Sequence, residues 1–112
     1  MDVGSPAHRA AERRVVAESQ VQLENRRATL PLRKNADVYV VGSNADNIGN
    51  QAGGWTLTWQ GGSTNVIPGS TILDGIRAAA SRGKVTFSED ASAPIKRKQL
   101  GVVGAVAGPR WA

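Results

Sequence analysis

The stretch STILDGIRAAAS, residues 70–81, repeats its apolar positions at helical spacing. Ile72, Ile76 and Ala79 fall on one stripe, flanked by Leu73 and Ala80, and predict the buried face of a helix. Ser70 or Thr71 is placed to cap it, Asp74 stands three residues after Thr71 in a capping-box spacing, and Gly83 supplies the stop. A second helical pattern covers residues 5–25, with Ser5 as N-cap and Pro6 at the first helical position. Its apolar stripe is thin, because Arg9, Arg13 and Arg14 keep much of its surface in water. Pro31 marks a break after it.

Between these helices the pattern changes period. Val38, Tyr39, Val40 and Val41 form a continuous β-favouring run, as expected of a strand covered on both faces in a parallel sheet. Gly42 ends it and a polar loop follows, in the position where open α/β folds bind ligands. Residues 55–60, WTLTWQ, alternate with period two, which puts Trp55, Leu57 and Trp59 on one side of a short strand or an extended loop segment. Residues 84–90 read as a further strand, and with the preceding helix they make a parallel βαβ unit. The apolar run LGVVGAVAG, residues 100–108, is a third candidate strand, weakened by its three glycines.

Composition narrows the chemistry. The chain has 112 residues, no cysteine and one histidine, so a disulfide framework, a Cys-ligated zinc and a His-cluster metal site are excluded. Net charge is +5, but it is distributed as +3 over residues 1–34, −2 over 35–90 and +4 over 91–112. Basic ends around an acidic middle do not match the stripe of Lys/Arg with interleaved aromatics that nucleic-acid binders carry. The expectation is no nucleic-acid partner; a strongly salt-dependent affinity would contradict it. The N-terminus has no apolar h-region, so no signal peptide is expected in this chain, and no run is long enough to span a bilayer. Localisation is not assigned. Gly42 and Gly49 follow a strand but lack the spacing of a dinucleotide-binding loop.

A combination of motifs carries more information than any one of them. GSNADNIGNQAGGWTLTWQG, residues 42–61, followed by TILDGIRAA, residues 71–79, resembles the start of the second domain of glycoside hydrolase family 3, the β-glucosidases and exo-β-glucanases. Upstream, VQLENRRATLPL is similar to the family's LLKN…LPL segment, with Glu24 where a lysine is usual. The resemblance covers residues 5–90, with 1–4 read as the start of a linker and 91–112 as a divergent tail, frameshifted or truncated.

The resemblance implies an α/β fold: part of a three-layer α/β/α sandwich with a mostly parallel sheet, incomplete here. It also implies a larger parent enzyme, often periplasmic or secreted. Its first domain, a barrel, carries an aspartate nucleophile, and a loop well downstream of GGWT supplies an acid/base glutamate. Hydrolysis of O-glycosyl bonds is then retaining and needs no cofactor. The expected partners are a β-glucoside or β-glucan saccharide and the barrel domain, with no membrane. The chain is thus expected to be a fragment, without both catalytic carboxylates and inactive alone. The alternative is a small non-catalytic carbohydrate-binding or partner-docking module.

By motif position Trp55 is the tryptophan that stacks on sugar just beyond the cleaved bond. An indole offers a flat, polarizable surface to a pyranose face, and the competing reading is core packing. Trp59 is expected in the core. Asp46, in the ligand-type loop, is a second and weaker candidate for substrate contact, set against an Asx-turn that accepts backbone N–H bonds. No pair of carboxylates qualifies as a catalytic dyad, which would need two of them about 5 Å apart.

Overall fold

The computed structural model describes residues 4–56, 58–65, 67–94 and the strand 100–103. The chain divides into two units, residues 1–30 and 31–112.

The first unit is built on α1 (Pro6–Ser19). Ser5 caps it as expected: its hydroxyl accepts from the His8 N–H at 3.4 Å, and Pro6 stands at the first helical position. The helix stops at Ser19, short of the expected residue 25. Gln20 turns extended, and the side chains of Ser19 and Gln20 both donate to the Val16 carbonyl, at 2.8 and 3.2 Å. These bonds satisfy an end carbonyl that another helical turn would otherwise have taken. Farther on, the Asn25 side chain clasps Leu30, donating to its carbonyl at 2.8 Å and accepting from its N–H at 2.9 Å. No residue of α1 is buried, consistent with its thin apolar stripe.

The second unit is of the α/β class. It has a three-stranded sheet in the order β2-β1-β3, all parallel, from β1 (Val38–Val41), β2 (Val85–Ser88) and β3 (Leu100–Val103). Val38 pairs with Val85 on one side and with Leu100 on the other. The central position of β1 explains its unbroken apolar run: Val38, Tyr39 and Val40 are all buried, on alternating faces. The LGVV run forms β3, and its glycine at 101 is accommodated at the edge of the sheet, where it pairs with Tyr39.

On one face, Val38 and Val40 form a core with Ala45, Leu73 and Ala80, supported by Ala36, Ile76, Val85 and Phe87. On the other, the Tyr39 hydroxyl donates to the Ala93 carbonyl at 2.6 Å, tying β1 to the turn after β2. α3 (Ile72–Ala79) lies against the core, but with a rotated face: Leu73 and Ala80 are buried, whereas Ile72 is 42% exposed and Ala79 is exposed. The buried stripe is therefore Leu73, Ile76 and Ala80, not the expected Ile72, Ile76 and Ala79.

The capping box of α3 is complete. The Thr71 hydroxyl accepts from the Asp74 N–H and the Asp74 carboxylate accepts from the Thr71 N–H, both at 3.1 Å. These bonds, the backbone one first, hold the Asp74 carboxyl below its ordinary value, with a smaller contribution from Arg77. Hydrogen bonds from Ser92, and then from the Ser88 hydroxyl, lower Asp90 in the same way. A carboxylate with a depressed folded pKa contributes stability that is present above its unfolded pKa and lost as pH falls through the folded one. Thermal stability is therefore expected to decline as pH falls below about 4, where unfolded aspartates begin to take up protons. Asp74→Asn should flatten that acid limb; a variant with the wild-type pH profile in melting experiments would refute the assignment.

Candidate functional site

Two loops meet at the carboxyl ends of the strands. The first runs from β1 through a 3₁₀ turn (Ser43–Asp46) into the short helix α2 (Ile48–Ala52). The second is the turn that leaves β2 at Glu89. Together with residues 60–63 they enclose an open cleft of about 600 Å³, lined largely by amide, hydroxyl and glycine groups, among them Ser43, Asn44, Asn47, Asn50 and Gln60. Glu89 is the only ionisable side chain among its described lining residues.

The loop's asparagines are held by bonds that span the sequence. Asn47 caps α2, accepting from the Asn50 N–H at 2.9 Å, and also donates to the Ser63 carbonyl at 2.9 Å. The Asn50 side chain donates to Asn44 at 2.6 Å, and Asn65 accepts from the Ile48 N–H at 2.7 Å. Gly49 is buried where α2 meets residues 62–64; a Cβ there would overlap the carbonyl oxygen of Gly62 and the backbone of Thr64.

After α2 the chain does not form a strand. Residues four apart in a strand lie about 13 Å from each other, yet the rings of Trp55 and Trp59 are stacked with centroids 6.0 Å apart and planes within 8°. A tight hairpin brings them together: the Trp55 N–H donates to the Trp59 carbonyl at 2.9 Å, and Thr56 bridges Thr58. Leu57 lies outside the described residues. Trp55 itself has φ +62°, left-handed backbone that a bulky residue rarely adopts, and Gly53 and Gly61 have positive φ on either side of the hairpin.

Both indoles face solvent. Trp55 is 84% exposed and Trp59 70% exposed. The expected core position of Trp59 is therefore corrected: the reversal of the hairpin directs it onto Trp55 rather than into the sheet. The indoles are not among the cleft-lining groups, but their neighbours are: Gly53 and Gly54 immediately before Trp55, and Gln60 immediately after Trp59.

Asp46 is exposed, and its carboxylate accepts from the Thr71 hydroxyl at 3.0 Å. In place of the expected Asx-turn, the carboxylate takes this side-chain hydroxyl, while the neighbouring Asn47 serves as the N-cap of α2. Because the Thr71 hydroxyl also accepts from the Asp74 N–H, Asp46 links the cleft loop to the start of α3. Asp46 and Trp55 are thus not brought together in one lining. Glu89, which sequence reasoning assigned no role, stands in the cleft; the available signal was the parallel pairing of β1 and β2, which sets the loops after both strands at the same end. Among the described residues no three His, Cys, Asp or Glu side chains come together to hold a metal, and no helix is long and apolar enough to cross a membrane.

Residues 20–108 match the family model described as the glycosyl hydrolase family 3 C-terminal domain. The chain is 37% identical over 89 residues to a periplasmic beta-glucosidase of Salmonella typhimurium, covering 79% of this chain and 11% of that protein. It is 37% identical over 79 residues to a lysosomal beta glucosidase of Dictyostelium discoideum, covering 67% of this chain and 10% of the relative. Among solved structures, an exo-1,3/1,4-beta-glucanase from a Pseudoalteromonas species superposes with a TM-score of 0.74 at 31% identity, over 90% of this chain and 13% of the other. The chain spans about a tenth of the length of the curated relatives it matches.

Proposed function

The chain belongs to the glycosyl hydrolase family 3 C-terminal domain, and from that premise we propose that it forms one wall of a saccharide cleft in a β-glucosidase- or β-glucanase-like enzyme. The observation that carries the reading is the exposed, stacked pair Trp55 and Trp59 on a hairpin whose flanking residues line a polar cleft. Large apolar rings held in water, one of them in a backbone conformation that costs free energy, do little for the fold. They suit a ligand with an apolar face and a polar rim, and a pyranose ring has both. The amides and hydroxyls of Ser43, Asn44, Asn47, Asn50 and Gln60 can donate to and accept from sugar hydroxyls. In this arrangement Trp55 is the stacking surface, and Asp46 acts on the ligand through the loop that it fastens to Thr71.

Retaining hydrolysis needs two carboxyl groups about 5 Å apart. Glu89 is the single carboxylate among the described lining residues, so by itself the chain binds without cleaving. Titration of the full chain with cellobiose is expected to give a saturable change in tryptophan emission at millimolar ligand, with no turnover of an aryl β-glucoside. An emission spectrum that stays unchanged to high millimolar cellobiose would remove the saccharide reading. Reproducible turnover by purified chain would remove the claim of inactivity.

A further inference from the structure

Among its described residues, the second unit carries opposite charges at the two ends of its sheet. Arg33, Lys34, Arg82 and Lys84 gather where β1 and β2 begin: the Arg82 N–H donates to the Lys34 carbonyl at 2.7 Å, and the Val38 N–H to the Lys84 carbonyl at 2.8 Å. One acid, Asp37, sits among them, its carboxylate accepting from the Lys84 N–H at 2.8 Å. At the other end, where the strands finish, the carboxylates among the described residues are Asp46, Asp74, Glu89 and Asp90, with Asp74 held by the Thr71 N–H at 3.1 Å. A four-residue strand spans about 13 Å, beyond the screening length of about 8 Å at physiological ionic strength. The cleft therefore experiences its own carboxylates far more than the distant basic cluster.

These carboxylates are not equivalent. Asp46 is engaged by the Thr71 hydroxyl at 3.0 Å. Asp90 is turned onto the Ser88 hydroxyl at 3.2 Å and the Ser92 N–H at 3.0 Å. Glu89, exposed and lining the cleft, faces the ligand space. A carboxylate accepts hydrogen bonds from hydroxyl and ammonium groups but offers nothing to another carboxylate. Resting on the saccharide reading above, we infer that Glu89 makes the cleft charge-selective: it takes neutral sugars and cationic amino sugars and disfavours anionic uronic acids.

The test titrates the full chain with glucosamine, glucose and glucuronate at mildly acidic pH and low salt, where the amine is protonated and the uronate ionised, with tryptophan emission as the readout. Because the cleft is open to water, glucosamine is expected to bind about three- to tenfold more tightly than glucuronate, with glucose between them. Added salt should narrow that ratio. Glu89→Gln should bring it towards one, and Glu89→Lys should invert it. Binding of glucose together with a wild-type ratio of one, or a ratio that survives both substitutions, overturns the charge selectivity and leaves the saccharide cleft standing. If none of the three sugars binds, both readings fall together.

Discussion

Leu73→Ala is expected to destabilise the second unit by about 2–5 kcal/mol, while Ile72→Ala, one residue away, costs less than about 1 kcal/mol. Both residues are apolar, both lie in the first turn of α3, and both changes introduce a good helix former. They differ only in what surrounds them. Leu73 is fully buried with Val38, Val40, Ala45 and Ala80, and truncating it leaves a void in a core with few other large side chains. Ile72 is 42% exposed, and its backbone N–H, which donates to the Gln51 side chain at 3.0 Å, survives the substitution. Total stability of a small domain is about 5–15 kcal/mol, so the larger loss removes much of it. Urea denaturation of the two variants separates them: a much lower midpoint, or no cooperative transition, for Leu73→Ala, and a near wild-type curve for Ile72→Ala. A larger loss for Ile72→Ala than for Leu73→Ala would mean that α3 packs with its other stripe inward.

That contrast also marks where sequence reasoning reached its limit. The existence and cap of α3 were legible because Thr71 and Asp74 interact within one turn. Its inward face was not, because Ile72-Ile76-Ala79 and Leu73-Ile76-Ala80 both satisfy helical spacing, and only the sheet chooses between them. β1 was legible because burial on both faces demands an unbroken apolar run. The end of α1 was not, because Ser19 and Gln20 terminate it through their own bonds to Val16 and neither residue is a strong breaker. In the cleft, the loop after β1 announced itself by composition. The Asp46–Thr71 bond joins residues 25 positions apart and leaves no local trace. The hairpin misled because alternation of Trp and Thr imitates a strand, and no propensity places tryptophan at positive φ.

That positive φ makes the second large prediction unusually clean. Trp55→Gly is expected to weaken cellobiose binding about tenfold or more, from loss of a large stacking surface, while stability changes by less than about 1 kcal/mol. For folding, several small effects oppose one another. Glycine relieves the left-handed backbone at Trp55, which costs an ordinary residue about 1–2 kcal/mol. Against this stand the added freedom of glycine in the unfolded chain, about 0.5–1 kcal/mol, and the lost contact with Trp59, about 0.5–1.5 kcal/mol. With Trp55 84% exposed, little burial is forfeited. For binding no such compensation exists, since glycine offers no face to a sugar. A residue kept for packing would behave in the opposite way, losing stability and sparing the ligand. Melting and titration of the same protein preparation therefore decide between the roles: a destabilisation above about 2 kcal/mol with unchanged cellobiose affinity would make Trp55 a structural residue and remove the aromatic platform from saccharide binding.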